Sequence, residues 1–127
     1  MSVGGLGFRP STLGLRFLLE LAALTGFGVW AWQVTPGALG YVTVVAVPLG
    51  VAVLWGVFAT PGDASRSGRT VVATPGPVRL LLELAVFFGG AAVLYAAGRH
   101  TLAVVFAVVL AVYHLLAWDR VAWLLRN

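Results

Sequence analysis

Ala38-Leu-Gly-Tyr-Val-Thr-Val-Val-Ala-Val-Pro-Leu-Gly-Val-Ala-Val-Leu-Trp-Gly-Val-Phe-Ala59 runs through twenty-two residues without one charged side chain. A strand of ordinary length needs about 5–6 residues. A helix that crosses the hydrocarbon core of a bilayer needs roughly 20. The run therefore predicts a transmembrane helix, and the chain around it repeats the signal. Upstream, Thr35-Pro36-Gly37 marks a tight turn that follows a second apolar segment, from about Leu13 to Val34, with Ser11 or Thr12 available as its N-cap. Downstream, residues 60–76 carry Pro61, Gly62, Asp63, Ser65, Ser67, Gly68, Pro75 and Gly76 and read as a flexible polar loop. A third span starts at Pro77, a residue suited to the first helical position, and reaches about Gly98. After Arg99-His100 a fourth covers about Thr101 to Trp118 and continues as helix through Leu125.

Composition agrees. The 127 residues are 61% hydrophobic and 9% charged, with a mean hydropathy of +1.00; a soluble chain carries about a quarter charged residues. The absence of cysteine excludes a disulfide framework, a thiolate metal site and cysteine catalysis. The length predicts a single domain, 1–127. All eight basic residues are arginine, and the net charge is +4. They punctuate apolar segments instead of clustering on a solvated face, so nucleic acid is not an expected partner and the lipid bilayer is. Arg9, Arg16, Arg66, Arg69, Arg79, Arg120 and Arg126 fall on one side of the four spans and only Arg99 on the other. The positive-inside rule then places both termini and the 60–76 loop in the cytoplasm. Trp30, Trp32, Tyr41 and Tyr95 form an outer aromatic belt, and Trp55, Trp118 and Trp123 an inner one. A cleaved signal peptide is not expected, because the first apolar segment is too long and carries Glu20.

Shifting the chain by 63 residues lays Arg16-Phe-Leu-Leu-Glu-Leu-Ala22 on Arg79-Leu-Leu-Leu-Glu-Leu-Ala85, with Gly26 on Gly89 and Trp55 on Trp118. Each unit is a two-helix hairpin, so the match predicts two parallel repeats about a pseudo-two-fold axis along the membrane normal. The competing reading is that both starts reuse one good cytoplasmic pattern for beginning a span, since the positive-inside rule selects arginine there anyway.

Leu15-Arg-Phe-Leu-Leu-Glu-Leu-Ala22, Ala46-Val-Pro-Leu-Gly50, Leu54-Trp-Gly-Val-Phe-Ala-Thr-Pro61 and Val78-Arg-Leu-Leu-Leu-Glu-Leu-Ala-Val-Phe87 together form a pattern that resembles the YrdB-like family of small prokaryotic membrane proteins, a domain of unknown function. The likeness runs from about residue 13 to 110, and the Trp-Gly-x-Phe-x-x-Pro stretch is its most specific part. It implies a four-helix protein of a prokaryotic cell membrane and names no substrate, cofactor or reaction. It lends no support to a role for His114 or Asp119, which lie beyond it.

Counting about 1.5 Å per residue from the inner boundary puts Glu20, Glu83 and His114 at a common depth of roughly 9–10 Å. Arg16 and Arg79 stand four residues before the two glutamates, on the same helix faces, and Asp119 lies nearer the cytoplasmic edge. Lipid-facing carboxylates cost at least about 2.5 kcal/mol each, so the group should point inward. Arg16, Glu20, Arg79, Glu83, His114 and Asp119 are therefore the candidate intramembrane polar cluster. One reading is structural: arginine pairs with glutamate on its own helix or in the other repeat, and the pairs set helix register. A second is a proton-coupled or cation-binding site on Glu20 and Glu83, with His114 as relay. A metal site of Glu20, Glu83 and His114 has suitable ligand types but no signature spacing, and Arg16 and Arg79 would repel the ion. His100 and His114 sit at opposite depths, against a bis-histidine haem. No phosphate loop, nucleophile elbow or His-Glu-x-x-His motif occurs, so neither enzyme activity nor a cofactor is expected. The sequence thus predicts an all-α polytopic membrane protein acting as a structural or accessory subunit or a homo-oligomer, with a proton-coupled transporter or channel using Glu20 and Glu83 as the alternative.

Overall fold

The computed structural model describes residues 6–63 and 70–127. Arg66 and Arg69, assigned above to the cytoplasmic loop, lie outside the described residues, as do Ser65, Ser67 and Gly68. A single 3-10 turn, Leu6–Phe8, precedes α1 (Pro10–Val34) and α2 (Leu39–Val57). Two short strands follow, β1 (Phe58–Ala59) and β2 (Val72–Ala73), then α3 (Gly76–Ala96), α4 (His100–Leu116) and α5 (Trp118–Arg126). The protein is helical, and α1, α2 and α3 are each long and apolar enough to cross a membrane. Helices α4 and α5 meet that description only as a pair, bent by 70° at Ala117.

Helices α1 and α3 lie against each other at the centre, with α2 packed on α1 and α4 on α3. Small residues permit the central contact. A Cβ added at Gly90 would stand 2.9 Å from Ala23 Cα, and one at Gly26 would stand 3.0 Å from the Gly90 carbonyl oxygen. The two backbones therefore touch, as small residues allow in membrane interfaces. Leu19, Ala23, Phe87, Ala91, Phe106, Leu110 and Tyr113 build the main core around that crossing. By contrast α2 buries only Gly40 and leaves Leu39, Tyr41, Val45 and Leu49 exposed. A helix that is apolar all round and covered on so little of its surface fits lipid, not water.

Four boundaries differ from the sequence reading. Helix α1 starts at Pro10 and not near Leu13: Pro10 occupies the first turn, where its missing N–H costs nothing, and the Arg9 carbonyl accepts the Leu13 N–H at 2.9 Å. Ser11 and Thr12 thus lie inside the helix and do not cap it. The span expected to run from 101 to 125 breaks at Ala117. Its N–H closes the last turn of α4 on the Tyr113 carbonyl, and its own carbonyl accepts the N–H groups of Arg120 and Val121. The bend turns Arg120 inward and lays Val121 and Leu124 on Leu80. The second span ends at Val57, and the 60–76 connection is tied down where it is described. Phe58 pairs with Val72 and Ala59 with Ala73 in a parallel register, and Thr60, Asp63 and Thr74 are buried. Helix α3 begins at Gly76, one residue earlier than read, and that residue must be glycine. A Cβ there would overlap the Leu124 carbonyl, because α5 crosses directly over the start of α3.

Candidate functional site: a buried arginine and carboxylate cluster

Glu83 projects from α3 into the centre of the molecule and has no exposed surface. A buried carboxylate is tolerated only when charge and hydrogen bonds compensate it. Here each oxygen has its own guanidinium, from a different helix. Arg16 of α1 donates to Oε1 at 2.7 Å, and Arg120 of α5 donates to Oε2 at 2.8 Å. The second arm of Arg120 donates to Asp63 in the 60–76 connection at 2.8 Å. Arg16 also donates to the Tyr113 hydroxyl of α4 at 3.3 Å and faces Glu20, one turn along its own helix, at 3.8 Å. The guanidinium fork suits this work, since its planar donors satisfy two acceptors at once.

Arg79, four residues before Glu83, does not pair with it by hydrogen bond. Its guanidinium caps α2, donating to the carbonyl of Trp55 and, at 2.7 Å, to that of Phe58. The last carbonyls of a helix have no partner within it and carry partial negative charge, so a buried cation belongs there. The same guanidinium lies 4.5 Å from the Trp55 ring centroid, with Arg16 near that ring at 5.3 Å. Arg16 is thereby paired with Glu20 and Glu83, and Arg120 with Asp63 and Glu83.

His114 of α4 sits beside the pair. Its Nδ1 lies 2.8 Å from the Leu110 carbonyl oxygen and so carries the donated proton, which leaves Nε2 facing Glu83 Oε2 at 3.4 Å. The Phe87 and Tyr113 rings meet the imidazole edge-on.

Of the residues read from sequence, the fold brings Arg16, Glu20, Glu83 and His114 together. It places Arg79 one layer away on the end of α2. Asp119 stands apart from the cluster, where its Oδ1 accepts the Gly7 N–H at 2.8 Å and ties the 3-10 turn to α5. Glu20 and Glu83 do not face each other directly, because Arg16 lies between them. Nor are they equivalent: Glu20 keeps about a quarter of its side chain exposed, at 26%, and lines a cavity of about 230 Å³ with Phe17, Trp55 and Phe87. Asp63, Arg120 and Tyr113 were missed. The available signal was scarcity, since the chain has only four acidic residues and three of them had been given roles. Among the described residues no group of three His, Asp or Glu side chains is disposed to hold a metal ion.

Residues 14–111 match the family described as a protein of unknown function, DUF2568. The chain is also similar to the uncharacterized protein YrdB of Bacillus subtilis (strain 168), with 40% identity over 119 residues, covering 94% of this chain and 97% of that protein. No solved structure matches. The chain belongs to the DUF2568 family, to which both matches point.

Proposed function

We propose that this member of the family is a small integral membrane protein with a structural or accessory role, presenting a fixed arrangement of helices to a membrane partner or to a second copy of itself. It performs no catalysis. The observation that carries this reading is the complete occupation of Glu83: both oxygens are taken by arginines from α1 and α5, and no surface remains for a ligand. Such a pair clamps separate elements instead of turning over a substrate. In this reading the chain crosses the cytoplasmic membrane of a prokaryote four times, with both termini and the 60–76 loop inside. Helix α4, at 17 residues, makes a short fourth span, and α5 lies along the inner surface. The central α1–α3 contact, flanked by α2 and α4, supports two parallel hairpins about a pseudo-two-fold axis.

A second reading, a proton-coupled transporter or channel using Glu20 and Glu83, draws on one observation: Glu20 reaches an apolar cavity and is only partly neutralised by Arg16. The two readings separate in one pair of measurements, thermal unfolding in mild detergent and proton flux into proteoliposomes carrying a pH-sensitive dye. For the structural role, Glu83→Gln lowers stability by about 3–5 kcal/mol, because two buried guanidiniums lose their counter-charge, while Glu20→Gln changes it little. Neither wild type nor variant conducts protons. Proton flux that Glu20→Gln abolishes at unchanged melting temperature overturns the structural reading in favour of transport.

A further inference from the structure

Glu20 is one end of a longer feature. The cavity it lines shares Leu21 and Leu24 with an open groove of about 740 Å³ that continues along α1 towards its C-terminal end. Helix α2 leans on α1 and barely reaches α3, so the groove runs along one face of α1, walled by Val44 and Pro48 of α2, and meets α3 only at its Glu20 end, at Val86 and Phe87. Gly28 and Pro48 meet along one wall, where a Cβ at Gly28 would stand 3.3 Å from the proline ring. The far end closes on Gln33 and Arg99. From Phe17 to Gln33 the floor rises about 24 Å, most of a hydrocarbon core of about 30 Å.

The two ends are electrostatically opposite, a carboxylate at Glu20 and a guanidinium at Arg99. Arg99 is held there by the end of α3: Gly98 takes the left-handed conformation at φ +86°, and the Arg99 N–H closes on the Leu94 carbonyl at 3.0 Å. No carboxylate pairs with the Arg99 side chain among the described residues.

We infer that the groove holds one acyl chain of an anionic membrane phospholipid, with its phosphate headgroup against Arg99 and Gln33 and its chain running along α1 beside Val44 and Pro48 of α2 towards Leu21. The walls are apolar along the chain's path. The charge pattern sets the direction, since an anionic headgroup is drawn to Arg99 and repelled from Glu20. The inference rests on the reading of this chain as membrane-spanning, and it leaves the Glu83 cluster untouched.

The test is native mass spectrometry of the detergent-solubilised protein, delipidated and then offered phosphatidylglycerol or phosphatidylcholine with the same acyl chains. Resistance of the membrane-bound protein to alkaline carbonate extraction is established first, so that release from the membrane counts against the membrane reading and a retained protein tests the groove. Wild type should retain phosphatidylglycerol about fivefold better than phosphatidylcholine, the effect of roughly one arginine at a membrane surface. Arg99→Gln should bring the two lipids to parity, and Arg99→Lys should restore the preference. Thr25→Phe, which fills the groove from an exposed position, should lower occupancy by both lipids without lowering the melting temperature. Equal retention of the two lipids by wild type overturns the inference. So does a preference that survives Arg99→Gln, because the arginines at the opposite end would then carry it, or unchanged occupancy in a folded Thr25→Phe.

Discussion

At the scale of single residues, identical pairs end in different work. Arg16-x-x-x-Glu20 and Arg79-x-x-x-Glu83 have the same spacing, yet Arg16 reaches across to Glu83 while Arg79 turns to the carbonyls of Trp55 and Phe58. The difference comes from what lies opposite each arginine. Arg16 meets the buried face of α3, and Arg79 meets the last turn of α2, where a helix leaves carbonyls without a partner of its own. Arg79→Lys should therefore be costly even though the charge is kept. An ammonium cannot span two carbonyls as a planar fork does and stacks less well on Trp55. The expected loss is about 1–3 kcal/mol, read by thermal unfolding in mild detergent, and the Trp55 environment should change in the fluorescence spectrum. An Arg79→Lys protein as stable as wild type would show that the charge alone matters there. The sequence singled out Arg16, Glu20, Glu83 and His114, which the fold brings together, because charged and imidazole side chains inside long apolar segments are few and conspicuous. It did not show the partners, since a guanidinium on a long side chain can reach acceptors on several helices.

At the scale of elements, the informative feature is the break at Ala117. Hydropathy alone carried the fourth segment through to Leu125, but Asp119 and Arg120 are better satisfied by turning back. Asp119 then receives the Gly7 N–H, and Arg120 reaches Glu83 and Asp63. Helix α5 thus becomes a cover over the polar cluster, seated on the start of α3 where Gly76 admits the Leu124 backbone. Gly76→Ala should lift α5 from that seat and cost about 1–3 kcal/mol, with faster proteolysis of the C-terminal segment as the direct readout. Gly50→Ala is the matched comparison. Nothing lies within 4 Å of a Cβ added at Gly50, so that variant should keep its stability or gain slightly. If both variants behave alike, the close approach of α5 is not what requires glycine at position 76. The pairing of β1 with β2 belongs to the same scale, and two-residue strands leave no pattern in the sequence by which to find them.

At the scale of the whole molecule, the cluster joins α1, α3, α4, α5 and the 60–76 connection through the hydrogen bonds of two arginines, Arg16 and Arg120. The proposed topology places this junction near the cytoplasmic surface, and the chain's lack of cysteine makes it directly measurable. Single cysteines at Ala38 and Thr101 should react with a membrane-impermeant maleimide added to intact cells. Ser11→Cys and Asn127→Cys should react only after permeabilisation, and the reverse pattern would invert the orientation. Helical character, three long apolar helices and family membership were legible in the sequence because they depend on the length and hydropathy of contiguous segments, which one chain displays by itself. The partnership of Glu83 with Arg120 and Asp63, the inequality of Glu20 and Glu83, and the 70° turn into α5 belong to the tertiary structure alone. Each depends on which side chains meet across distances of tens of residues in sequence, and that is decided by packing and by the cost of leaving a buried charge unpaired.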